Sequence, residues 1–364
     1  MTSPGASDGL DVLIVGGGPA GSATALALAH AGAAVAVVTR PHPRGPRIGE
    51  TVPPAIIRPL TQLGVWDNFT ADGHLAAPGT VVCWGDECPY EYDYIADPYG
   101  PSWHLDRARF DSMLIRSARR AGAQVHALGP SGTRIEHDGT CWRIPLAGRN
   151  PDVLSAPFLV DATGRAALIA RRHGATRRRI DKLIALARFG AAATTEPRTL
   201  IEAFRDGWWY ATVLPNAQAV TVLFTDTDLL PIGRKQHQSF WETALSHTKL
   251  VRDVMPPQTT TPIFTAPAHT AILSRCHGDT WVAVGDAART LDPLSGQGLM
   301  AACESAVRAS DAVLAAHRRT ALDAYATQTA TQHRTHVSSG SAHYQREHRW
   351  PSSTFWQRRT ETHH

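Results

Sequence analysis

Apolar positions along the chain fall into two patterns. One is a continuous run of four or five residues, the mark of a strand buried on both faces. Residues 12–15, 34–38, 158–160 and 281–284 are of this kind. The other is alternation rich in aromatic and β-branched residues. It runs from 184 to 225 and predicts at least three antiparallel strands, two of them joined at Pro215-Asn216. Residues 80–94 predict strands around a turn, and 124–128, 133–137 and 140–144 three more short strands. Helical spacing follows the first run up to about Ala31, with Gly32 as the stop. It returns at 56–63, from 103 to about 121, at 236–254, at 298–315 and in a polar stretch from Thr320.

Buried runs separated by helices, interrupted by an alternating block, predict an α/β chain. A Rossmann-like nucleotide-binding domain is expected from 8–79, 104–175 and 276–320, and a mixed or antiparallel β-sheet substrate domain from 80–103 and 176–275. Residues 321–364 are expected to form C-terminal helices. Their aromatic–basic ending, with Arg349, Trp350, Phe355 and Trp356, is read as a brace docked on the body.

Composition changes this picture little. A chain of 364 residues with 43 % hydrophobic content can bury the core of two domains. A net charge of +4 gives no footing for nucleic acid. No apolar run approaches the ~20 residues that span a bilayer. Residues 1–10 are small and polar, expected as a flexible tail rather than a signal peptide, which goes with a cytoplasmic location. Five scattered cysteines without a C-x-x-C argue against a disulfide framework and against a zinc site. His333 and His336, and the basic connector at 171–181, are expected to be solvated surface.

The candidate chemistry begins at Gly16, Gly18 and Gly21, which fit G-x-G-x-x-G between a strand and a helix, with Pro19 and Ala20 inside the turn. Such a turn brings backbone to a pyrophosphate and aims a helix N-terminus at it. Alone it permits NAD, NADP or FAD. Thr39 and Arg40 stand where a dinucleotide fold usually has a carboxylate for the ribose. Later segments narrow the choice. Gly285-Asp286 ends a buried strand, and a strand-end carboxylate suits a polyol hydroxyl. The loop with Asp292, Pro293, Gly296, Gln297 and Gly298 opens a helix, suiting a ring that becomes anionic. Arg107 can reach the pyrophosphate or ribityl region, and Asp161 and Gly164 form another strand-end turn near the nucleotide.

The order GxGxxG, R-x-G-E (Arg47, Gly49, Glu50), R-x-x-F-D from Arg107, D-A-T-G from Asp161, then G-D-A-A and D-P-x-x-G-x-G resembles the FAD-dependent monooxygenase superfamily of the p-hydroxybenzoate hydroxylase fold. Residues 47–50 and 207–215 are similar to its tryptophan halogenase and geranylgeranyl reductase branch. The C-terminal segment is similar to flavoproteins that hydroxylate aromatic side chains on peptides or proteins. The resemblance implies FAD reduced by NAD(P)H or by reduced flavin from a partner reductase. It implies O2 adding at C4a and the distal oxygen passing to an indole or phenol, on a peptide or carrier protein. In this frame Asp286 holds the ribityl chain, the 293–298 backbone faces the pyrimidine edge, and Arg47 and Glu50 lie over the ring. His104, Glu50 and Trp209 are the catalytic candidates, and no metal is expected. Halogenases of the branch need a lysine after the G-E segment, and none occurs between Glu50 and Asp161. A flavin-dependent reductase and a non-catalytic FAD-binding accessory protein are the further alternatives.

Overall fold

The computed structural model describes residues 9–40, 45, 47–129, 134–147, 152–256 and 259–360. Most of the expected tail, much of the Pro/Arg loop before Arg47 and the last four residues of the expected brace lie outside them.

The chain opens with strand β1 (Val12–Val15), helix α1 (Pro19–His30) and strand β2 (Val35–Thr39). A hairpin follows, β3 (Gly79–Cys83) and β4 (Tyr90–Asp93), then β5 (Ser102–His104) and helix α2 (Arg107–Arg120). Next come β6 (Gln124–Ala127), β7 (Phe158–Asp161) and the short helix α3 (Leu168–Arg172). The alternating block forms β8 (Leu183–Ala191), β9 (Thr199–Phe204), β10 (Gly207–Leu214) and β11 (Gln218–Asp226). Helix α4 (Arg234–Ser246), β12 (Phe264–Pro267) and β13 (Trp281–Ala283) lead to three C-terminal helices, α5 (Gly298–Leu314), α6 (Arg318–Tyr344) and α7 (Thr354–Thr360).

The apolar runs assemble as a five-stranded sheet, β13-β7-β1-β2-β6, parallel at every pairing. Both faces of β1 are buried, as a strand covered on two sides requires. The alternating strands form a seven-stranded sheet, β12-β8-β11-β10-β9-β3-β4. One of its faces packs on α4, where Trp209 meets Trp241 edge-on at 4.7 Å. The opposite face carries Trp208, stacked on Phe224 at 4.1 Å, and joins Tyr344, Phe355 and Trp356 of the C-terminal helices. No helix is long and apolar enough to cross a membrane, among the described residues.

Two local expectations need correction, and one strand was not expected. Trp103 and His104 belong to strand β5, not to the helix, which starts after the Asp106 cap. Helix α4 stops at Ser246 rather than near 254. Strand pairing also recruits 153–156, which alternation over four residues does not announce. The surface readings fail at particular side chains. His333 is buried, and His336 accepts a hydrogen bond from the Asp292 N–H at 2.8 Å. Arg177 is half-buried and donates to the carbonyls of Asp286 and Ala287.

Candidate active site

The turn between β1 and α1 is built by contact. A Cβ on Gly16 would collide with the Ala162 carbonyl, and one on Gly21 with the Gly16 carbonyl. Small residues there let β1, β7 and α1 close together. Gly18 caps α1 with no side-chain acceptor, and Pro19 holds the first position. The helix therefore presents free N–H groups and a positive dipole end to the cavity beside it. Thr39 belongs to this turn: its Oγ1 accepts from Gly17 N at 3.0 Å. Arg40 is exposed.

That cavity has a volume of about 580 Å³ and runs between the two sheets. Gly18, Pro19, Ala20, Arg47, Gly49, Glu50, Arg107, Gly164, Asp286, Pro293, Gly296 and Gly298 line it, as do Arg165 and Thr51. Its far wall is the seven-stranded sheet, which contributes Trp208, Tyr210, Phe224 and Phe264. Arg107 Nη1 donates to the Ile48 and Gly49 carbonyls at 2.7 and 3.1 Å, and Nη2 to Asp111. Arg47 pairs with the same Asp111. The two arginines thus hold the 47–50 loop over the cavity, and Arg107 Nε keeps no protein partner. Arg165 Nε lies 3.7 Å from the half-exposed Asp286 carboxylate.

Glu50 is the most unusual group of the lining. It is 2 % exposed. Its Oε2 accepts from Gly49 N at 3.0 Å, while Oε1 is buried without a partner. Burial raises its pKa to about 7, against the opposing charge of Arg107. The Tyr210 hydroxyl bonds to Thr51 Oγ1 at 2.6 Å, and burial, then the Glu50 charge, hold it well above the usual phenol range.

Several expected site residues lie elsewhere. His104 is fully buried between β5 and the sheet, bonded to Thr199 at 2.9 Å and Thr212 at 2.7 Å. Burial lowers its pKa to about 4, so it stays neutral and outside the cavity lining. Trp209 points to the α4 face, because successive strand residues alternate and Trp208 takes the cavity face. Asp161 is occupied: one oxygen accepts from Thr163 N and Oγ1, the other from Ile169 N and Ala170 N at 2.9 Å. It caps α3 rather than facing the cavity. Gly16, Gly21 and Gly285 shape the walls from behind. Gln297 faces a second cavity of about 510 Å³ across the 292–298 loop. Tyr210 and Phe264 are cavity-lining positions that the glycine motifs do not mark. Strand parity in 207–210 was the signal for Tyr210.

The donors and acceptors of the cavity match those of FAD. Free N–H groups at α1, a carboxylate at Asp286, a Pro/Gly loop opening α5 and an unpartnered Glu50 oxygen fit a pyrophosphate, a ribityl chain and a flavin ring. Together, the two-sheet fold and this cavity define a flavin-dependent oxidoreductase. The chain belongs to the FAD binding domain family, whose sequence profile matches residues 9–340. It is 29 % identical over 357 residues to LodB of Marinomonas mediterranea, a relative named as an FAD-dependent oxidoreductase, covering 96 % of each chain. It is 27 % identical over 322 residues to a tryptophan 2-halogenase of Chondromyces crocatus, covering 83 % of this chain and 60 % of that one. Among solved structures, the flavin-dependent halogenase CmlS superposes with a TM-score of 0.85 at 23 % identity, over 97 % of this chain and 68 % of the other. QhpG, a peptidyl tryptophan dihydroxylase essential for tryptophylquinone cofactor biogenesis, gives 0.81 at 25 % identity, over 97 % and 79 %.

Proposed function

We propose that the protein is an FAD-dependent monooxygenase that hydroxylates an indole or phenol ring carried on a peptide or carrier protein. NAD(P)H, or reduced flavin from a partner reductase, supplies electrons, and O2 is the oxidant. The observation that carries this reading is the cavity wall opposite the nucleotide motifs: four aromatic rings and no lysine. The chain's three lysines, Lys182, Lys235 and Lys249, are exposed. The similarity to a peptidyl tryptophan dihydroxylase supports a tethered substrate.

Bound and reduced, FAD supplies the activation of O2. The chain's own residues bind, orient and exclude water. The α1 N-terminus takes the pyrophosphate and Asp286 takes ribityl hydroxyls. The 292–298 loop offers backbone N–H groups to the ring. Trp208, Tyr210, Phe224 and Phe264 keep the space dry and orient an aromatic ring by its faces. Glu50 holds or releases a proton at Oε1 near neutral pH, suiting a group that must deprotonate a phenol or indole as oxygen is transferred.

The decisive experiment supplies the yellow holoprotein with NADH or NADPH, with and without a bacterial flavin reductase. Isotopically labelled O2 and tryptophan- or tyrosine-containing peptides complete the reaction. One labelled oxygen in the aromatic ring is expected. Product formed without O2 would sink the proposal in favour of a reductase. Halogenation is the second reading, favoured by relatives named as halogenases. A product that forms only with added halide and carries it would establish that instead.

A further inference from the structure

The free edge of the seven-stranded sheet leaves backbone groups open to another strand. β4 is its outermost strand, and among the described residues nothing pairs with its outer side. Proteins usually blunt such edges with short strands, charged side chains, proline or a cover, and β4 carries two acids, Glu91 and Asp93, which repel a second copy but admit a basic strand. Here all four strand residues are exposed. The large apolar groups exposed are Tyr90 (40 %) and Tyr92 (60 %) on the strand and Ile95 (95 %) and Tyr99 (41 %) just after it. Clustered exposed apolar groups of this kind mark interaction surfaces.

The direction of the free backbone groups follows from one bond. Tyr94 N donates to the Pro78 carbonyl at 2.7 Å. Inward-bonded residues alternate in an antiparallel pair, so Tyr92 and Tyr90 also bond inward to β3. The N–H and C=O of Glu91 and Asp93 therefore point out. Side chains alternate too. Tyr210, Ile201, Val82 and Tyr90 stand in register across four strands on one face. Tyr210 lines the FAD cavity, Ile201 and Val82 line the second cavity, and Tyr90 ends the row at the open edge. The two cavities share Leu291 and Asp292 at the loop between them. An added strand would lie two strand spacings, about 10 Å, from Val82.

Charge selects the partner. Residues 85–100 carry Asp86, Glu87, Glu91, Asp93 and Asp97 and no lysine or arginine, in a chain of net charge +4. Arg198 approaches Glu91 and Asp93 at 3.7 and 3.4 Å, and Lys249 meets Glu87 at 3.0 Å. Five acids facing two cations leave the edge negative.

We infer that β4 docks one extended, basic polypeptide segment by strand addition, placing that segment's aromatic side chain on the row that leads to the second cavity. The inference rests on the proposed function for the substrate's class, but docking needs no turnover. The probe is a short fluorescein-labelled peptide of alternating arginine and valine with one central tryptophan, titrated into holoprotein by anisotropy. Saturable binding is expected. Glu91→Pro removes an outward N–H together with one edge carboxylate and should weaken it by about tenfold or more, with FAD content unchanged, while the backbone share alone is read from the peptide. The same peptide N-methylated at alternate residues should lose as much, an arm that does not depend on the variant folding. No binding, or equal binding of the N-methylated peptide, would overturn the inference. So would a dimer in sedimentation that Glu91→Pro dissolves and that excludes the peptide, since the edge would then pair with a second copy. A peptide that binds but is never hydroxylated would overturn the function and leave the docking. Turnover of free aromatics without peptide binding would overturn the docking and the tethered substrate, and leave only the monooxygenase chemistry.

Discussion

At the residue scale the proposed chemistry turns on Glu50. A buried carboxyl with one unpartnered oxygen binds its proton more tightly than it does in the unfolded chain. Burial carries its pKa from the ordinary 4.5 to about 7. Its contribution to stability is thus present below the unfolded value and is lost as pH rises through about 7. The thermal midpoint of the holoprotein should fall across that window, and Glu50→Gln should flatten that part of the curve. Activity separates this structural effect from a chemical one. A proton carrier leaves a limb near pH 7 in kcat/KM, and its removal costs on the order of 10²- to 10⁴-fold. A Gln variant that keeps both the limb and the rate would remove Glu50 from the chemistry. The same scale shows where sequence reading stops. Trp208 and Trp209 are adjacent and identical, and only the register of β10 sends the first to the cavity and the second to Trp241. Asp161 ends the parallel strand β7, and Asp286 follows the parallel strand β13 by three residues. Asp161 is consumed by the α3 N–H groups, and Asp286 remains open. Five-residue α3 was invisible to periodicity, so its need for a cap was invisible too.

At the scale of elements, the legible parts were those whose chemistry is local: strand, glycine turn and helix at 12–30, and the Pro/Gly loop opening α5. What fixes that loop comes from far along the chain. Helix α6 supplies His336, whose Nε2 takes the Asp292 N–H, and Tyr344, whose hydroxyl donates to Asp292 Oδ2 at 2.9 Å. Burial lowers His336 to about 4, with Arg289 adding to the effect, so its acceptor nitrogen stays free of a proton. Nothing in a polar helix marks these two side chains as loop anchors. Removing the His336 acceptor leaves a backbone N–H unpaired, costing about 1–3 kcal/mol at the loop. His336→Ala should therefore release FAD faster, read as recovery of free-flavin fluorescence, with unchanged far-ultraviolet circular dichroism. The wild-type clamp should also weaken as pH falls from about 6.5 toward 4, the window in which the folded state resists the proton. FAD release at the wild-type rate in the variant would show that the loop holds its shape without α6.

The whole molecule is closed by its last described helix. α7 has seven residues, too short to persist alone, so burial must hold it. Phe355 and Trp356 are both nearly inaccessible, and Trp356 Nε1 donates to the Phe204 carbonyl at 3.0 Å. Arg359 lies 3.6 Å over the Phe355 ring and pairs with the buried Asp226 at 2.7 Å. Their cluster includes Trp208, whose indole N–H donates to Tyr344, itself bonded to Asp292. One aromatic core thus joins the C-terminal helix, the cavity wall and the Pro/Gly loop. A clamp packed on the outside would affect stability alone; a clamp sharing this core must also affect the cavity. Trp356→Ala should cost about 3–5 kcal/mol, lowering the thermal midpoint by several degrees. Because Tyr344, which accepts the Trp208 indole N–H, loses its Trp356 neighbour, the absorption bands of bound FAD should shift as well. A variant that is destabilised while its flavin spectrum and FAD affinity stay at wild-type values would confine α7 to holding the chain end.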